Sequence, residues 1–88
     1  MDGAGFVQAI EEQLFVLSPI TRNVIEHQIS ELGMTRDYMS PKQAEALVQR
    51  VSSALMLFLG PSGAEQARAI MLRELRKRAP AHFASMGM

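Results

Sequence analysis

Proline punctuates this chain at near-regular intervals. Ser18-Pro19, Ser40-Pro41 and Gly60-Pro61 each set a small residue before a proline, about twenty residues apart. Proline lacks the N–H that a helix interior needs. It fits the first helical position, where that N–H would have no partner. Each proline therefore reads as a start, and no helix can run far past the next one. The segment interiors do not align with one another, so this is repeated punctuation rather than a repeat family.

Apolar spacing turns the segments into four helices. In the first, over about 5–17, Phe6, Val7, Ile10, Leu14 and Leu17 recur every three or four positions around Glu11, Glu12 and Gln13. That is an amphipathic stripe. The second spans about 19–32, with Val24, Ile25, Ile29 and Leu32 inward, and Gly33 supplies its left-handed end. Residues 34–40 form the longest connection. The third, about 41–59, opens on a capping box of Ser40 and Gln43 and turns Ala44, Leu47, Val48, Val51, Leu55 and Phe58 inward. A second box, Ser62 with Glu65, opens the fourth at about 63–79, whose stripe is Ala64, Ala67, Met71 and Leu75; Pro80 ends it. No stretch alternates with period two. The expectation is one compact all-α four-helix domain over 1–80, its helices mostly antiparallel, with 81–88 a flexible tail.

Composition narrows the classes of function. Eighty-eight residues leave room for one small core, and 48% hydrophobic residues are too many for a disordered tail. The absence of cysteine excludes disulfides, zinc–thiolate sites and thiol catalysis. The acidic start, Met1-Asp2-Gly3-Ala4-Gly5, lacks the basic and apolar regions of a signal peptide, and the longest purely apolar run, Ala54 to Leu59, is far short of a membrane span. A cytoplasmic location is expected.

Two features exceed what a four-helix fold consumes. First, Leu14-Phe15-Val16-Leu17 and Ala54-Leu55-Met56-Leu57-Phe58-Leu59 put apolar groups all round the ends of helices one and three. A helix apolar all round needs cover all round. Val16, Met56 and Leu57, with Ile70 and Leu72, are thus expected to seek another partner, each buried aliphatic chain being worth roughly 1.5–3 kcal/mol. Second, the zero net charge is uneven. Residues 1–34 hold five acids against Arg22, a net of −4; residues 66–88 hold Arg68, Arg73, Arg76, Lys77 and Arg78 against Glu74, a net of +4. Cations on the last turns of a helix oppose its dipole. They also offer a surface for an anionic partner, or for antiparallel self-association.

A search for chemistry finds no convergent set. His27 and Glu31 share a helix face at i, i+4, but two ligands do not make a metal site; His27 is expected to pair with Glu31 or Glu26. Gly60-Pro61-Ser62-Gly63 precedes a helix without the Lys-Ser/Thr of a P-loop, and reads as a cap. Glu11 and Glu12 are adjacent on a helix and point apart. No catalytic, cofactor or metal residue is assigned, and no enzyme activity is expected. Met34, Tyr38 and Met39 crowd the long connection, where Tyr38 joins a large face to a polar tip.

Leu17-Ser18-Pro19-Ile20-Thr21-Arg22, with Met39-Ser40-Pro41 and Ala46-Leu47-Val48, resembles the small helical modules appended to some bacterial signalling proteins. Ser18 and Thr21 stand where that pattern has small residues, and no kinase or receiver domain accompanies the motifs here. The resemblance implies a regulatory, non-catalytic adaptor. The expectation is an interaction module, a homodimer or a subunit docked on a protein partner. It would use Phe15, Val16, Tyr38, Met56, Leu57 and Phe58 for area and Arg73, Arg76 and Lys77 for charge. The alternative is a nucleic-acid-associated protein using the basic helix end. That signal is weak: the chain's pI is near 6.7 and no aromatics are interleaved with the cations.

Overall fold

Asp2 begins the first helix earlier than the apolar stripe suggests. The Gly5 N–H donates to Asp2 Oδ1 at 3.1 Å, and the helix runs from Gly3 to Phe15 (α1). In this computed structural model, which describes residues 1–82, α2 spans Ile20–Glu31 and α3 spans Pro41–Arg78. The expected tail at 81–88 lies outside the described residues from 83 onward. Pro80, Ala81 and His82 are helical, and the His82 N–H donates to the Ala79 carbonyl at 3.2 Å.

The boundaries between the first two helices also move. Residues 16 and 17 leave the first helix because the Leu17 and Ser18 N–H groups both donate to the Leu14 carbonyl, at 2.9 and 3.2 Å, and close a turn. Pro19 flanks α2 rather than opening it. α2 ends as expected: the Gly33 N–H donates to Ser30 and the Met34 N–H to Ile29, both at 3.1 Å, and Gly33 takes φ +67°. This is a Schellman ending, which favours glycine because the left-handed backbone crowds a Cβ.

α3 consists of two helical arms that meet at a sharp joint. At Gly60, φ is 73° and ψ is 176°, outside any helical region, and residues 41–59 and 61–78 form separate arms about that joint. These arms are the expected third and fourth helices, so α1 to α3 supply the four expected helical segments, and the described residues contain no strand. The first arm carries the expected capping box, Gln43 N–H to Ser40 Oγ at 3.1 Å and Ser40 N–H to Gln43 Oε1 at 2.9 Å. The second box does not form as a cap. The second arm starts at Pro61, immediately after the joint, which leaves Ser62 inside its first turn.

The core lies along the stripes. Phe6, Val7, Ile10, Leu14, Ile25, Leu47, Val48, Val51, Leu55, Ala67, Met71 and Leu75 are fully buried, joined by Met39 from the connection. Ile70 and Leu72, expected as surplus, are half-buried and pack against this core. Phe58, expected on the inward stripe, is exposed instead.

A few contacts fix the directions. Glu11 lies 4.0 Å from Arg22, so α2 folds back along α1 from the turn at 16–19. The Gly3 N–H donates to the Asp37 carbonyl at 3.2 Å, and Asp2 and Tyr38 form one isolated antiparallel bridge. The start of α3 therefore sits beside the start of α1. Arg50 Nε donates to Gln28 Oε1 at 3.3 Å, so the first arm rises along α2. Gln13 Nε2 donates to Glu74 Oε1 at 2.9 Å, and His82 Nε2 comes within 3.6 Å of Glu45 Oε2, so the second arm descends along α1. The result is an up-down-up-down bundle measuring 33 × 27 × 19 Å.

Candidate interaction surface

This topology brings two distant stretches to one end of the bundle. The turn at 16–19 and the joint at Gly60 are both at the end opposite Asp2 and Tyr38. Local hydrogen bonds hold the first stretch. Thr21 Oγ1 donates to the Ser18 carbonyl at 2.7 Å, and the Ile20 N–H donates to Ser18 Oγ at 3.4 Å. Val16 projects outward with 85% of its surface exposed, and Phe15, 55% exposed, borders the groove between α1 and α2. Helical geometry presents the second stretch. Leu57 is two residues, or 200°, beyond the buried Leu55, so it faces away from the core and is 88% exposed. Met56 and Phe58 flank it, each exposed over half or slightly more of its surface.

Five of the six apolar residues singled out from sequence, Phe15, Val16, Met56, Leu57 and Phe58, thus belong to the joint-and-turn end or the arm leading to it. Tyr38 is equally exposed but lies at the other end, about 18 Å away along α1 at 1.5 Å per residue. A shallow groove of about 310 Å³ runs between the two arms beside this end, lined by Ser53, Met56, Pro61, Ala64 and Arg68 among others.

The charged candidates are distributed differently. Arg73, Arg76 and Lys77 are exposed on the last turns of α3, toward the Tyr38 end. Lys77 Nζ lies 3.7 Å from Glu74 Oε1, and Arg78 Nε donates to Glu74 Oε2 at 2.8 Å. Glu74 is buried to 7% exposure. Burial alone would raise its carboxyl pKa, but hydrogen bonds from Gln13 and Arg78 and the charges of Lys77 and Arg78 outweigh it and hold the pKa below the ordinary value. Part of the basic cluster therefore serves a carboxylate of its own helix.

A second buried carboxylate was not singled out from sequence. Glu11, also 7% exposed, accepts both guanidinium nitrogens of Arg36, at 2.7 and 3.2 Å. Arg36 also lies 3.7 Å from Glu26, and the hydrogen bond to Glu11 raises the Arg36 pKa further. Glu26 thus meets Arg36, and His27 makes no ion pair among the described residues. The Glu11 cluster floors a groove of about 490 Å³ between α1 and α2, lined also by Ala4, Gln8, Glu12, Phe15 and Arg22. Its charges pair with one another across the groove wall. Among the described residues, no three acidic or histidine side chains gather where a metal ion would be held, and no helix is long and apolar enough to cross a membrane.

No protein-family model matches the chain, and neither a curated protein nor a solved structure matches it.

Proposed function

We propose that the chain is a non-catalytic interaction module that docks through the end formed by the turn at 16–19 and the joint at Gly60. One observation carries the reading: the core is complete without Phe15, Val16, Met56, Leu57 and Phe58, yet all five are half or more exposed. Scattered apolar residues on a surface are ordinary, but a cluster at one end marks a contact site. Covering Leu57 or Val16 alone would contribute roughly 1.5–3 kcal/mol. The nucleic-acid alternative is the weaker reading, because Lys77 and Arg78 both lean on Glu74.

The test is site-specific photo-cross-linking in cells, with a benzophenone side chain at Leu57 or Val16 and a control at the exposed Ala46 on the first arm. Covalent adducts from residues 57 and 16, and none from 46, are expected. If neither end position yields an adduct, the docking reading falls.

A further inference from the structure

We infer that the occupant of this end is a second copy of the chain, meeting the first about a two-fold axis; the inference rests on the reading of the end as a docking surface. Charge is the first argument. Residues 13–21 and 51–64, which build the end, contain no Asp, Glu, Lys or Arg, although the other 65 residues carry all eighteen charges. In an isologous contact each patch meets its own image. Charges near the axis then face their like, whereas a charge-free apolar patch is complementary to itself. A heterologous partner selected by electrostatic complementarity would need charges within this surface, whereas the nearest ones flank it: Glu65 and Arg68 in the groove beside Met56, and Glu11, Glu12, Arg22 and Arg36 in the groove beside Phe15. The zero net charge adds no long-range repulsion between copies.

Area is the second argument. Taking roughly 150–200 Å² for each full side chain, the exposed fractions of the five apolar residues amount to roughly 500–660 Å². Two copies that covered all of it would together hide about 1,000–1,300 Å², at the lower limit of specific interfaces. Half-exposed neighbours such as Leu17, Ile20 and Leu59 extend the rim. An interface at this lower limit is expected to be a weak one that dissociates on dilution. Because no ion pair holds it, added salt leaves it unweakened, unlike a contact between the acidic and basic parts of the chain.

Sedimentation equilibrium of the full chain across roughly 1–500 µM, at low and high sodium chloride, is the first measurement. A concentration-dependent dimer with the same dissociation constant in both salts is expected. Leu57→Glu raises that constant at least tenfold, and mixing Leu57→Glu with Leu57→Lys restores association that neither shows alone. Leu57→Ser, with helicity followed by circular dichroism, keeps the test valid if the charged variants misfold. The chain has no cysteine, so spin labels can be placed singly. Labels at Ser62→Cys should lie close across the dimer, and labels at Thr35→Cys should approach twice the 33 Å long axis.

A chain monomeric at every concentration, whose Leu57 position still cross-links to other proteins, overturns the second copy but leaves the docking reading standing. A monomer without cross-links overturns both. A dimer that salt dissociates, or whose Thr35 labels are the closer pair, assigns association to the charged end and overturns the inference.

Discussion

Gly60→Ala isolates the physics of the joint. Its backbone, at φ 73° and ψ 176°, lies in a region that L-residues other than glycine scarcely occupy. A Cβ added there would meet nothing within 4 Å, so the substitution makes no clash with a neighbour and its effect is purely conformational. Holding alanine in that region costs about 1–3 kcal/mol. Against this, alanine narrows the unfolded ensemble and returns about 0.4–1 kcal/mol. The net expectation is a loss of about 1–2 kcal/mol, or roughly 4–8 °C of Tm for each kcal/mol in a chain of this size. Urea denaturation followed by circular dichroism gives the free energy directly, and an unchanged m-value would show that both arms still unfold together. Asparagine sharpens the test, because it tolerates the left-handed helical region but not an extended ψ at positive φ. Gly33→Asn, in a Schellman ending, should therefore be milder than Gly33→Ala, whereas Gly60→Asn should be no better than Gly60→Ala. An alanine variant as stable as the parent would show that the joint stores no such backbone strain.

Three further predictions follow from the buried groups and the exposed end. Arg36→Ala leaves Glu11 buried with only Arg22 at 4.0 Å and should lower stability by about 1–2 kcal/mol in chemical denaturation, with Arg36→Lys recovering only part because it cannot bridge both oxygens. Glu74 has a lowered folded pKa, so its contribution is whole above the ordinary glutamate pKa of about 4.3 and is lost as pH falls through the lowered value. Thermal midpoints between neutral and acid pH should therefore fall less steeply in Glu74→Gln than in the parent, and parallel curves would count against the argument. Leu14→Ala should cost about 3 kcal/mol, whereas Leu57→Ser in dilute protein should stay within about 0.5 kcal/mol, since Leu14 is fully buried and Leu57 is 88% exposed.

Much of this architecture is legible in the sequence, for identifiable reasons. The fourth stripe, Ala64, Ala67, Met71 and Leu75, is buried in full because helical periodicity is local and strong. The exposed end was legible because three consecutive apolar residues, Met56 to Phe58, cannot all face inward from one helix. The partnership of the two ends was not legible: Val16 and Leu57 are 41 positions apart, and only the antiparallel topology places their stretches together. The buried carboxylates carry a signal of their own in the sequence. Glu11 stands four residues after Val7 and three before Leu14, and Glu74 three after Met71, so both sit on the buried face. Lys77 and Arg78 mark Glu74 locally, at three and four residues, but Arg36 and Gln13, the long-range partners of Glu11 and Glu74, lie 25 and 61 residues away and leave no local pattern. The earlier start of α1 depended on a single capping oxygen, that of Asp2, outside the apolar stripe.

The joint also bears on how copies of this chain can meet. Were Gly60 to turn helical, the two arms would align as one rod of 38 residues, about 57 Å at 1.5 Å per residue and longer than the molecule itself. Such a rod would carry Ala64, Ala67, Met71 and Leu75 away from α1 and offer them to the core of another molecule, the first step of arm exchange. Pro61 stands against it. In a straight helix its ring would collide with the carbonyl of Leu57 and remove a hydrogen bond, a penalty of about 3 kcal/mol or more. Glycine permits the reversal and the next residue penalises its undoing. Replacing Pro61 would make swapped oligomers easier to form, while the native pair keeps each chain folded on itself.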